Sequence, residues 1–251
     1  MSALKKKCLG IGFGIFLLAL WEILSVIIGK SYILPGPLLV LEKIVENRND
    51  IFMIHLPATM YVVVVGCIIS IVLGTALAVI MDFDKRVERA IYPILTVTQT
   101  IPVMCIAPIF VLWFGYSVTM RVVVVVLTNF FAVAVNVFDG LGSTSNARTE
   151  LLMTYGAGKF KRLVLLRFPS ALPSFFTALK ITVPWSIVGA AVAEWLGAPS
   201  GLGTYSRNCM MSLDAAGLLA PLVVITVIAL LINAVIQIIE KKIVTWSGEE
   251  N

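Results

Sequence analysis

The run Gly156-Ala157-Gly158-Lys159 is the stretch of this sequence nearest to a phosphate cradle. A loop of that kind wraps phosphate oxygens in backbone N–H groups and neutralises them with the lysine. It needs a further glycine five positions before the last one, and Ser or Thr directly after the lysine. Met153 and Phe160 occupy those positions, so ATP is not bound here by this motif. His55 is the only histidine, which excludes an H-E-x-x-H zinc site and leaves a histidine-based triad without support. It precedes Pro57, where it suits a polar contact at a membrane interface. The 4 cysteines, Cys8, Cys67, Cys105 and Cys209, are scattered with no C-x-x-C spacing, so neither a metal nor a redox site is expected. No cofactor is expected in this chain.

Polar residues inside apolar runs are costly and therefore candidates for function. Glu22, Gln99, Asn129, Asn136 and Glu194 are of this kind. Gln99 and Asn129 are candidate lining residues of a solute pathway, because Pro102, Pro108 and Pro184 supply the helix breaks around which such pathways form. Glu194 and Trp185 are further candidates, the indole as a stacking surface for a flat aromatic solute. A hydrogen bond between helices is the structural alternative for each polar group, and the preferred one for Glu22. Trp195 fits the interfacial aromatic belt.

The elements that hold these residues follow from composition. Of 251 residues 59% are hydrophobic and only 13% are charged, about half the charge usual for a soluble domain. A mean hydropathy of +1.00 is too apolar for a single soluble core. The numbers predict an all-α polytopic membrane protein and exclude a disordered chain or a disulfide scaffold. A spanning helix takes about 20 apolar residues, and six runs qualify: 8–28, 60–81, 91–114, 122–138, 175–195 and 218–239. The first is too long for a signal-peptide core and no small-residue cleavage site follows it, so it is expected to be retained.

Orientation follows from the positive-inside rule. One side collects Lys5, Lys6, Lys7, Lys85, Arg86, Arg89, Arg148, Lys159, Lys161, Arg162, Arg167, Lys241 and Lys242; the other has Lys30, Lys43, Arg48, Arg121 and Arg207. The alternation is correct for an even number of spans and predicts both termini in the cytoplasm. The basic residues sit between apolar runs rather than along one face, so the net charge of +5 does not indicate nucleic acid. In the second span Gly66, Ser70, Gly74 and Ala78 recur at every fourth position, a small-residue face that lets another helix approach closely. Packing within the chain is the expected use.

The connection of about 143–172 is the longest cytoplasmic one and does not read as a linker. Gly140 to Asn146 is turn-rich and ends in good N-cap residues. Ala147–Tyr155 has a helical pattern, broken by Gly156 and Gly158. A second amphipathic stretch, Lys159–Phe168, is expected to stop at Pro169 and Pro173. Two short helices joined at glycines would form a cytoplasmic platform for a soluble partner.

These residues resemble a known family. Glu150-Leu-Leu-Met-Thr-Tyr-Gly156-Ala157-Gly158, followed by Phe168-Pro169-Ser-Ala-Leu-Pro173, is similar to the EAA loop of ABC-importer permeases, E-A-A-x-x-x-G-A-S and then L-P-x-x-L-P. Leu151 and Leu152 replace the alanine pair, Gly158 replaces Ser, and Phe168 replaces the first Leu. Glu194-Trp195-Leu-Gly-Ala-Pro-Ser-Gly-Leu-Gly203 resembles the segment after the fifth span in permeases for sulfonates, nitrate, taurine and thiamine or flavin precursors, its form being nearest to those for heteroaromatic vitamin precursors. Together the likeness covers about residues 90–240.

The resemblance implies a subunit that catalyses nothing itself. Two permease copies, a homodimer, would form the pathway in a bacterial inner membrane. An ABC ATPase dimer on the cytoplasmic face would bind ATP and magnesium, and an extracytoplasmic substrate-binding protein would deliver the solute. Glu150, Leu151, Leu152, Tyr155, Gly156, Ala157, Gly158 and Lys159 would form the coupling helix and its turn against the ATPase. The rival reading is a self-sufficient secondary transporter or channel, which would need buried acids as ion sites, and Glu22 is the only deep acid. An intramembrane enzyme lacks any nucleophile–base pair or metal set.

Overall fold

A computed structural model describes residues 3–245, with side chains from residue 12 onward. The described residues form helices and no strand. In chain order these are α1 (Ala3–Ile28), α2 (Pro37–Glu46), α3 (Leu56–Phe83), α4 (Lys85–Thr98), α5 (Val103–Phe114), α6 (Val118–Gly142), α7 (Asn146–Thr154), α8 (Lys159–Arg162), α9 (Phe168–Trp195), α10 (Leu202–Met211) and α11 (Ala215–Ile243).

Four continuous helices, Asp50–Phe83, Val118–Gly142, Lys159–Trp195 and Ala215–Ile243, are long and apolar enough to cross a membrane. The pair α4 and α5 adds a fifth if its halves are one span; they meet at a bend of 97°. The expected first span is represented by a shorter apolar stretch, Gly12–Ile28; its beginning, 8–11, lies outside the described side chains. The expected fourth span is longer than its apolar run, because Ser117 accepts a hydrogen bond from Met120 N and starts α6 a turn earlier.

Two departures from the expected boundaries share one cause. Pro169 and Pro173 do not stop the second stretch of the loop: α8 runs into α9 through a widened π turn at Leu163–Arg167, giving one helix of 37 residues. Another π turn, Asp50–His55, leads into α3 just before Pro57. A proline inside a helix lacks an N–H and presses its ring on the carbonyl four residues back. Widening the preceding turn moves that carbonyl away and lets the helix continue.

The centre of the molecule is α3, α6 and α9. The small-residue face of α3 is buried on α6: a Cβ at Gly66 would lie 2.5 Å from Val125 Cγ1, and one at Gly74 would lie 2.8 Å from Val133 Cβ. Ser70 spends its hydroxyl on Gly66 O at 2.7 Å, so it brings no unpaired polar group into the seam. The stripe thus packs within the chain, as its spacing predicts. Val64, Ile68 and Val72, on another face of α3, are exposed, as a lipid-facing row would be.

The remaining helices close over this centre. Ala107 and Phe110 of α5 join Met120, Val124 and Ala193 in a cluster across α5, α6 and α9. At the end carrying α10, Val40 of α2 and Ile51 pack with Leu202, Ala220 and Val224. At the opposite end, Arg167 is ion-paired with Asp82, tying the π turn to the end of α3. Lys180 of α9 meets Glu240, near the end of α11, at 2.9 Å. α1 is fixed mainly by the segment after it: Trp21 Nε1 donates to Pro35 O at 3.0 Å, and Ser25 Oγ to Leu34 O at 2.9 Å.

Candidate functional site

Three sites emerge from this frame. The first is a cleft of about 590 Å³ at the break between α4 and α5, walled by α6 and α9. The break has local causes. Thr98 turns its hydroxyl onto Ile94 O at 2.8 Å and Leu95 O at 2.9 Å, and Thr100 binds Val97 O at 2.7 Å, consuming the last carbonyls of α4 in tight local bonds. Pro102 follows, with ψ 114°, and cannot extend α4 because it has no N–H. Pro108 and Pro184, expected as breaks alongside Pro102, sit inside helices, as does Pro93. Gln99 and Trp185, two of the expected pathway residues, both line the cleft. No acidic or basic side chain lines it among the described residues.

Asn129 stands behind that wall rather than on it. It is 1% exposed, and its Nδ2 donates to Ser186 Oγ at 2.6 Å and to Val125 O at 3.0 Å. Ser186 Oγ donates in turn to Thr182 O at 2.8 Å and lies 2.8 Å from Cys67 Sγ. The group joins α3, α6 and α9 at the centre of the bundle.

The second site surrounds Glu194, the last acidic residue of α9, which is fully buried. Gly203 N donates to its Oε2 at 2.8 Å. A Cβ at Gly201 would fall 2.1 Å from its carboxyl carbon, and Gly201 has φ +139°, so the chain passes over the carboxylate where only glycine fits. Leu202 N donates to Thr59 Oγ1 at 2.8 Å and Gly201 N to His55 Nδ1 at 3.1 Å. Arg121, 4% exposed, binds Ser200 O at 3.2 Å and supplies positive charge to the same pocket. The segment 194–203 is therefore a cap folded around a carboxylate, and it seats α10. His55 packs edge-on against Tyr205, with ring centres 5.3 Å apart. Burial, with Cys209 and Asp214 nearby, pushes the Tyr205 phenol far above its usual range. Burial and then Asp214 also push the Cys209 thiol up.

The third site is α7 and its turn. Ser145 caps α7, accepting from Arg148 N at 3.4 Å. At the other end Gly156 N donates to Met153 O and Ala157 N to Leu152 O, both at 2.9 Å. This pair of bonds is a Schellman turn, whose C′ residue must be left-handed. Gly156 takes that place with φ +73°. Leu151, Met153 and Tyr155 are more than half exposed, the last at 79%. Lys159 turns away from α7 and donates to Phe83 O at 3.4 Å, the last carbonyl of α3.

Sequence reasoning missed α2 and α10. Gly36-Pro37 before an apolar–charged alternation was the available signal for α2. The Glu194 pocket had no signal beyond the glycines, since His55, Thr59 and Arg121 are remote in sequence.

Comparison with known proteins agrees with this architecture. The family described as "Binding-protein-dependent transport system inner membrane component" matches residues 70–245. The formylaminopyrimidine transport permease protein ThiX of Halalkalibacterium halodurans is 44% identical over 95% of this chain and 95% of its own. A probable ABC transporter permease protein of Haemophilus influenzae is 32% identical, over 79% of this chain and 82% of its own. In fold, the chain is similar to one in the inward-facing MetNI methionine ABC transporter, with a TM-score of 0.63 and 19% identity, covering 74% of this chain and 91% of that one. By family and by fold, this chain belongs to the inner-membrane permease components of binding-protein-dependent ABC transport systems.

Proposed function

We propose that this permease works as the non-catalytic subunit of an importer, with six spans, both termini in the cytoplasm, and a second copy as partner. An ATPase dimer would bind and hydrolyse ATP on the cytoplasmic face, and a substrate-binding protein would deliver the solute from the other. α7 is the coupling helix. The observation that carries this reading is an apolar surface where water should be: Leu151 of α7 and Tyr155, its C-cap, share one side and are exposed at the basic end of the molecule, with Met153 exposed beside them. Such a patch marks a protein-docking face. Glu150, Leu151, Leu152 and Tyr155 would enter a cleft of the ATPase, and Gly156, Ala157 and Gly158 would shape the turn that admits them. Lys159 would anchor the loop to α3 instead of touching the partner. Nucleotide-driven closure of the ATPase pair would then move the two α7 helices as rigid bodies and switch the pathway.

The transported solute belongs with uncharged heteroaromatic vitamin precursors. The 44% identity to a formylaminopyrimidine permease supports this class. Gln99 and Trp185 line the pathway, whereas Asn129 and Glu194 hold its walls in place.

The test separates the shape of the turn from the docking it permits. A Cβ at Gly156 meets nothing within 4 Å, so only its positive φ resists substitution within this chain. Asn tolerates that conformation. Gly156→Asn should leave the permease folded and inserted, yet break the link between ATP hydrolysis and uptake in the reconstituted importer. Coupled uptake at the native rate by Gly156→Asn and by Gly156→Trp would defeat the assignment.

A further inference from the structure

The cleft at the α4–α5 break carries more than a place in the pathway. Two helix ends meet there: α4 ends at Thr98 and Gln99, and α5 begins at Pro102 and Val103, all of them lining the cleft. Irregular backbone of this kind is tolerated at membrane depth only inside protein or beside a water-filled cavity. The end of α4 brings partial negative charge, its last carbonyls being held by Thr98, Thr100 and the N–H groups that follow, while the start of α5 presents N–H groups and partial positive charge. Pro102, the N-cap of α5, offers no side-chain cap to those N–H groups.

Helix ends of opposite sign, meeting at 97°, give a polar rim with free backbone donors and little net charge. Gln99 adds a donor and an acceptor, its amide having no partner among the described residues. The hydroxyls of Thr98 and Thr128 are committed as donors to backbone carbonyls, so they face the cleft as acceptors only. Opposite the rim, Trp185 is 56% exposed and offers an indole surface. Close approach of α9 to α6 at Gly189, where a Cβ would lie 3.2 Å from Thr128 Oγ1, keeps the wall flat beside it.

We propose that this cleft is a selectivity site in the permease itself, for an uncharged planar ring that carries adjacent hydrogen-bond donors and acceptors, stacked on Trp185. A sulfonate or other anion would find no cationic side chain here, only the partial positive charge at the start of α5, which offsets its desolvation in part. The chain would thus discriminate among solutes after the binding protein has released them. The proposal rests on the importer reading only in requiring that a solute pass through this chain.

The experiment uses the purified full chain in detergent, without ATP, ATPase or binding protein, so its outcome is independent of the Gly156 test. Binding of formylaminopyrimidine, taurine and benzenesulfonate is read by equilibrium dialysis, alongside quenching of tryptophan fluorescence. Formylaminopyrimidine should bind saturably and quench. Taurine, with no ring, and benzenesulfonate, with a ring but a negative charge, should do neither. Trp185→Leu should weaken binding about fivefold to a hundredfold, the range for loss of one ring-stacking surface. Trp185→Phe should keep most of the binding and lose the quench. Gln99→Ala should weaken it about threefold to tenfold, as loss of one neutral hydrogen bond does. Absence of formylaminopyrimidine binding, equal binding of benzenesulfonate, or unaltered binding by Trp185→Leu with native thermal stability would each overturn the proposal.

Discussion

Gly203 donates its backbone N–H to the Glu194 carboxylate at 2.8 Å, across nine positions of sequence and at the centre of a cap that excludes water. The bond fixes where α9 ends and α10 begins, and Arg121 supplies the compensating charge. Removing one member of such a buried set leaves the other exposed to an apolar medium. Glu194→Ala should therefore cost about 1.5–3 kcal/mol of stability, the range for a hydrogen bond to a charged group, lowering the melting temperature of the purified protein by about 3–12 °C. Glu194→Gln, which keeps an acceptor for Gly203, should cost less, and the double variant Glu194→Gln/Arg121→Met less than Glu194→Ala alone. Equal melting temperatures for native protein and Glu194→Ala would remove the cap's structural role.

The seam between α3 and α6 makes a second prediction. At Gly74 a Cβ would lie 2.8 Å from Val133 Cβ and 3.0 Å from Ala134 N, so Gly74→Ala forces two helices apart. The cost should be about 1–3 kcal/mol, as for other overpacked sites. Val133→Ala should relieve part of it. Gly14→Ala is the control, since nothing lies within 4 Å of that position. Thermal melts of the four proteins in one detergent would decide the matter.

α9 and α11 are joined by charge. Lys180 Nζ lies 3.0 Å and 2.9 Å from the two Glu240 oxygens. Lys180→Met or Glu240→Gln alone should destabilise by about 1.5–3 kcal/mol, the range for hydrogen bonds to charged groups. The exchange Lys180→Glu with Glu240→Lys should recover most of the loss. A double-mutant cycle with no coupling would show that the pair contributes nothing.

Thiol chemistry reports the electrostatics around α10. Burial, followed by the Asp214 carboxylate, raises the Cys209 pKa, and the thiolate is the species that reacts. Maleimide labelling of Cys209, followed site by site by mass spectrometry, should be slow at neutral pH and accelerate as the pH rises. Asp214→Asn removes a nearby negative charge and so lowers the thiol pKa. It should speed labelling at a fixed pH while keeping an acceptor for Gly217 N, which Asp214 now caps at 2.9 Å. Slower labelling in that variant would contradict this account of the shift.

Hydropathy alone located α3, α6, α9 and α11, because a helix that crosses lipid must keep a long stretch with few charges. Local chemistry was equally readable at Gly156, where a glycine after an apolar helical run predicts the left-handed turn that is found. The broken span was harder. Pro93, Pro102 and Pro108 carry the same local penalty, and only the threonine hydroxyls and the walls of α6 and α9 single out Pro102. Pro169 reads as a stop, yet a π turn absorbs it, because the gain from burying Leu163 and Ala171 against α3 and α6 rewards continuing the helix. Asn129 and Glu194 look alike in sequence to pathway groups, and long-range partners alone show that both are enclosed.

The helix that resulted from passing Pro169 has a mechanical meaning. Its 37 residues from Lys159 to Trp195 make a rod about 55 Å long, against a hydrocarbon core of about 30 Å. The rod begins beside the exposed turn of α7 and ends at the carboxylate that folds the cap over α10. One helix thus joins the two ends of the molecule, with no loop between Lys159 and Glu194.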